Sequence, residues 1–113
     1  SLMHGDFGYE HVIVDPDGSK VAAIIDFADV SLGDPIWEFG PFLPLGRRLD
    51  AVLSGYGQGP DMRGEMAVKA PLYRMLWHLG AGVWCHEVGL TDLRWVTRVI
   101  EDCIARLNAN SPA

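Results

Sequence analysis

The chain has 113 residues, about half of them apolar and about a fifth charged, a balance that fits one folded domain with a single core and excludes a disordered chain. The net charge of −6 is uneven: residues 1–46 carry eight acids and one lysine, residues 47–113 seven acids and eight bases. No basic stripe exists to neutralise phosphates along a nucleic acid, and no apolar run approaches the ~20 residues that span a bilayer, so neither nucleic acid nor membrane is expected as a partner. With no basic segment ahead of an apolar stretch, a soluble, cytoplasmic protein is expected.

Residues 3–10 read as a polar, glycine-bearing loop; Leu2-Met3 before it reads either as the end of a strand or as a junction that leaves Met3 as the start. His11–Asp15 and Lys20–Phe27 are short, β-branched and apolar, and read as strands. Pro16-Asp17-Gly18-Ser19 between them is a turn, since Pro presets φ and Gly tolerates a positive one. A four-residue loop pairs position 15 with 20 and 11 with about 24, which brings His11 and Asp26 to one end of the hairpin, beside Asp6.

After a loop over 28–33, Asp34 reads as a helix N-cap with Pro35 at the first helical position. A short helix over 36–43 stops at Pro44, and a second helix runs over 47–57 into the glycine-rich stretch 55–60. From Asp61 to about Val88 the pattern is helical, with a core stripe of Met66, Tyr73, Leu76, Trp77, Val83 and Trp84 and a kink or break at Pro71. Thr91 or Asp92 caps a last helix whose stripe is Leu93, Val96, Val99, Ile100, Cys103, Ile104 and Leu107, and 108–113 fray. Cys85 and Cys103 lie on separate helices and read as two buried, reduced thiols; His78 and His86 read as core or helix-face residues. The expected fold is α+β in one domain over 1–113: a catalytic loop and hairpin at 3–33 packed on a mainly helical bundle at 34–107.

The chemistry sits at the front. Phosphoryl transfer needs an aligned hydroxyl, a group to take its proton, and cations that bridge the phosphates. His4-Gly5-Asp6, then His11, then Ile25-Asp26-Phe27 follow the order and spacing of H-R-D, Asn and D-F-G in protein kinases. The runs HGDFGYEHVIVD (4–15), VAAIIDFADVSLGDP (21–35) and the IWEFG that follows resemble the aminoglycoside phosphotransferase family, a kinase-like group with choline and homoserine kinase relatives. The resemblance implies the C-terminal lobe of a kinase-like fold and ATP-dependent transfer to a hydroxyl of a small, antibiotic-type acceptor.

Carried onto this chain, the resemblance implies that Asp6 is the catalytic base, that His11 and Asp26 hold the metal (Mg²⁺), and that His4 and Asp34 support the loop, Asp34 through His4. Glu38 stands where the family usually has Asp and is read as structural. His11 replaces the usual Asn, as in macrolide-type members. Asp6, His11 and Asp26 are expected to converge around one divalent ion.

The Gly-rich loop and phosphate-gripping lysine of such enzymes belong to an N-terminal lobe, and the two lysines here, Lys20 and Lys69, do not match it. ATP binding is therefore expected only with a complementing lobe, and little activity alone. A face left bare by that lobe is expected to drive a homodimer. Two other readings stand beside this one: a non-enzymatic remnant of the fold that self-associates, and a metal-dependent hydrolase with His4, Asp6, His11 and Asp26 as ligands.

Overall fold

A computed structural model describes residues 1–45, 47–57 and 60–110. In chain order it contains β1 (Leu2–Met3), a 3-10 turn (Tyr9–His11), β2 (Val12–Val14), β3 (Val21–Ile24), β4 (Ser31–Leu32), a long 3-10 segment (Pro35–Leu45), α1 (Arg47–Tyr56), α2 (Pro60–Glu87) and α3 (Arg94–Asn110). The fold is α+β, as expected from the sequence.

The hairpin turn is held by two carboxylates, that of Asp17 accepting from the Ser19 amide at 2.9 Å. Asp15 accepts from the Lys20 amide and the Ser19 hydroxyl, both at 3.0 Å, while Gly18 takes φ +72° at the tip. The expected pairing of 15 with 20 is present, the Asp15 amide donating to the Lys20 carbonyl at 3.0 Å. An irregularity between Ile13 and Val14 then shifts the register by one, so that Val12 faces Ile24 and the Ile25 amide donates to His11. Asp26 thus stands one residue beyond His11's partner, closer than the expected two.

The sequence pattern missed a second strand pair. Leu2 and Met3, read as either a strand end or a junction, pair antiparallel with Leu32 and Ser31, which lie inside a segment read as loop. Two-residue strands carry no alternation that a sequence could display.

The buried core is helical. Ile36, Phe39, Leu43, Leu53, Met66 and Ala70 form it. The segment expected to be an α-helix over 36–43 is instead a 3-10 helix to Leu45. Pro41 lacks an amide to donate, and burial at Ile36, Phe39 and Phe42 follows the three-residue turn of that helix.

Helix α2 runs unbroken through Pro71, which is fully buried. Its packing on the 3-10 segment outweighs the ~3 kcal/mol that an interior proline costs. The expected stripe holds at Met66 and at Tyr73, which packs against the core, but fails further along, for Leu76, Val83 and Trp84 are 57–60% exposed. Leu76 and Trp84 line an open cleft, not the core.

Gly89, at φ +87°, ends α2 and turns the chain into α3, with the Leu90 amide reaching back to the Cys85 carbonyl at 2.8 Å. Asp92 accepts from the Arg94 amide at the start of α3, as a cap does. Cys103 is buried and Cys85 only half-buried, both as free thiols. Helix α3 extends through Asn110, past the expected fraying point; 111–113 lie outside the described residues.

Candidate active site

The loop carrying Asp6 is clamped from both sides of Gly5. The Gly5 amide donates to Glu38 Oε1 at 2.9 Å, and the Trp37 indole donates to the Gly5 carbonyl at 3.0 Å. Gly5 has φ +90°, and a Cβ there would stand 2.1 Å from the Asp29 carbonyl oxygen, so only glycine fits. The structural reading of Glu38 agrees with this contact. Trp37 carried no sequence signal beyond its place in the aromatic-acidic pair.

His4 lies beneath the loop, 8% exposed. Its Nε2 donates to the Ile25 carbonyl at 2.8 Å, and its ring packs 4.5 Å from Phe27 and 5.7 Å from His11 between centroids. One buried imidazole thereby joins the Asp6 loop to the Asp26 segment.

His11 is held with a defined tautomer. A carbonyl oxygen can only accept, so the 2.7 Å contact between His11 Nδ1 and the Asp6 carbonyl places a proton on Nδ1. In the neutral ring Nε2 then carries a lone pair, and it faces Asp26 Oδ2 at 3.8 Å. That separation is too long for a hydrogen bond, but two ligands each ~2.1 Å from one ion lie at most ~4.2 Å apart. An imidazole whose other nitrogen donates to a backbone carbonyl is the arrangement common to metal-ligating histidines.

Asp26 itself has φ +64°, in the left-handed region. Aspartate tolerates that region better than most residues, yet a non-glycine there is strained and points to a site. The twist ends the hairpin and leaves the carboxylate 58% exposed.

The expected three-way convergence is not formed. Among the described residues no three His, Cys, Asp or Glu side chains gather to hold an ion. The four-ligand set of the hydrolase reading is likewise not assembled, because His4 is buried with Nε2 committed to Ile25. Asp6 instead lines an open cleft of about 1440 Å³ together with Asp26, Asp29, Trp77, Trp84 and Trp95.

Asp34 lies further off. Its carboxylate accepts from the Ile36 amide (3.0 Å) and the Tyr73 hydroxyl (3.0 Å) and pairs with Lys69 (3.1 Å). The N-cap expectation agrees with the Ile36 contact. The contacts that steady the Asp6 loop come from Glu38 and Trp37, and those of Asp34 run to Ile36 and to α2. Partial burial pushes the Asp34 carboxyl up, but the Ile36 amide, Lys69 and Tyr73 together hold it below its usual value.

The phosphotransferase enzyme family matches residues 1–71 of the 113, a stretch that contains the Asp6 loop, the hairpin, Asp26, Asp34 and the first part of α2. No curated protein matches the chain, and no solved structure does. With the matched stretch covering more than half of its length, the chain belongs to the phosphotransferase enzyme family.

Proposed function

We propose that this chain is the acceptor-binding and catalytic lobe of a small-molecule O-phosphotransferase. The observation that carries the reading is the fixed His11 tautomer, with Nδ1–H bound to the loop that bears Asp6 and Nε2 turned toward Asp26. Asp6 takes the proton of the acceptor hydroxyl as its oxygen attacks the γ-phosphorus of ATP and the bond to the departing ADP breaks. His11 and Asp26 would hold Mg²⁺, which would supply positive charge against the transferring phosphates. Glu38, Trp37 and His4 keep the loop in register with the hairpin.

ATP binding falls to a complementing lobe that supplies the glycine-rich cover and the lysine. The exposed apolar surface supports a covering partner: Leu2 is 74% and Leu32 82% exposed, and Val21, Ile24, Ile25 and Phe27 on the neighbouring hairpin are also exposed. Either that lobe or a second copy of the chain covers this face. The second copy is the self-associating reading, and the same exposed residues favour it.

The test is transfer from γ-labelled ATP to a panel of hydroxyl compounds, with the chain joined to any coding sequence upstream of it. Product that falls ~10²–10⁴-fold on Asp6→Asn, with the fold intact, supports the proposal. Full activity in that variant, or tight Zn²⁺ binding with hydrolysis and no transfer, overturns it.

A further inference from the structure

The cleft that holds Asp6 has two unlike walls. Its carboxylates, Asp6, Asp26 and Asp29, all come from the front of the chain. The opposite wall is built by α2 and α3 and carries three indoles, Trp77 and Trp84 from α2 and Trp95 from α3. Among the described residues, none that α2 or α3 contributes to this cleft is acidic or basic.

Two of the indoles are held in place by a third ring. His78 meets Trp77 edge-on with centroids 4.9 Å apart and meets Trp95 at 5.9 Å, joining one helix to the other. Its Nδ1 donates to the Arg74 carbonyl at 2.8 Å, which anchors the imidazole to α2. Aromatic surface fixed in this way binds a ligand at little ordering cost.

A gap interrupts the wall. Trp77 and Trp84 are seven residues apart on one helix face, ~10.5 Å along the axis, and Gly80 lies between them in the same cleft. Glycine weakens a helix interior, so it calls for a reason. Gly82 has one in packing, since a Cβ there would stand 3.0 Å from Val96 Cγ2. Gly80 has none, because a Cβ there would meet nothing within 4 Å among the described residues. The result is an unfilled step between two indoles, one of which, Trp84, is 60% exposed.

We propose that this step receives the body of the acceptor, and that the body is a flat, uncharged aromatic ring system carrying the hydroxyl that Asp6 meets. A ring adds its buried area to the stacking energy, whereas a cation over an exposed indole gains little and finds no carboxylate on this wall. Continuity with Asp6 in one cleft assigns the step to the acceptor and not to a second copy of the chain. The placement of the hydroxyl rests on the proposed role of Asp6; the stacking does not.

The test is NMR titration of the 113-residue protein without nucleotide or metal. The probes are 2-naphthaleneethanol, its saturated decahydro analogue, choline and glucosamine. Expected are shifts in the indole resonances of Trp77, Trp84 and Trp95, with the naphthyl compound bound at least about tenfold tighter than choline or glucosamine and the decahydro analogue between them. Gly80→Leu fills the step, weakens naphthyl binding about tenfold or more and does not lower the melting temperature. If that variant does not fold, Trp84→Ala decides, with the same loss of binding. Choline or glucosamine as the tightest probe, a decahydro analogue that equals the naphthyl compound, no binding at all, or binding undiminished in the variants overturns the proposal. A parent that sediments as a dimer with a monomeric Gly80→Leu assigns the wall to a second copy and overturns it too. A protein that binds the aromatic alcohol but transfers no phosphoryl group overturns the proposed reaction alone, whereas an active one indifferent to the ring overturns this step alone.

Discussion

Tyr73 donates its hydroxyl to Asp34 Oδ2 across 39 residues of sequence, at 3.0 Å, and so ties the middle of α2 to the start of the 3-10 segment. The other carboxylate oxygen caps that segment at Ile36, which makes Asp34 the joint between the site-bearing front and the helical core. Asp34→Ala removes a cap and leaves a tyrosine hydroxyl without its acceptor. The expected loss is ~1–2 kcal/mol, measured by urea unfolding.

The pH dependence follows from the same carboxylate. Its pKa is lower in the folded chain than in the unfolded one, so its stabilising contribution is complete above the unfolded value near ~4 and disappears as pH falls through the folded value. His78 acts in the same direction at higher pH. Its folded pKa lies below the usual value, so stability begins to fall once pH drops below ~6.5. Melting temperature against pH is expected to decline in two stages, with Asp34→Asn flattening only the more acidic one. A curve unchanged in that variant contradicts the assignment.

Gly5→Ala is a sharper test of how the Asp6 loop is built. The new methyl would press on the Asp29 carbonyl, and φ +90° is unfavourable for any side chain. Either the loop or the Asp29 segment must move, which breaks the contacts to Glu38 and Trp37. A destabilisation of ~2 kcal/mol or more is expected, together with a change in the His4 and His11 ring resonances.

The front of this site was legible because its chemistry is local. His4-Gly5-Asp6, His11 and Asp26 are linked by one hairpin whose turn residues are explicit in the sequence, and a single-residue bulge was enough to alter only the register. The clamp on the loop was less visible. Glu38 and Trp37 reach Gly5 from more than 30 residues away, and no spacing rule links them. Helix α2 misled for another reason. Its apolar residues keep helical periodicity from Met66 to Trp84, but periodicity marks an apolar face without naming what covers it, and here the far half of that face lines a cleft.

Metal binding is expected to depend on both members of the hairpin-end pair. Mn²⁺ titrated into the protein should broaden resonances of His11 and Asp26 first. Asp26→Asn should weaken binding ~10-fold or more, and removal of the metal with a chelator should restore the spectrum. His11→Asn, which keeps a ligand atom of a harder kind, should favour Mg²⁺ over Zn²⁺ relative to the parent. Broadening that spares both residues contradicts the proposed metal site.

The bare apolar face makes a separate prediction. Leu32 is 82% exposed on β4, and its strand partner Leu2 is 74% exposed beside it, so neither side chain holds the fold together. A solvent-facing Leu32→Asp should therefore change unfolding stability by no more than ~0.5 kcal/mol. If the face is covered by a second copy, the same change buries two like charges at a symmetric contact and should disrupt the dimer. Sedimentation velocity at tens of micromolar is expected to show a dimer for the parent protein and a monomer for the variant, at equal melting temperature. A parent that stays monomeric throughout leaves the face to a complementing lobe, and the variant should then bind that lobe more weakly than the parent does.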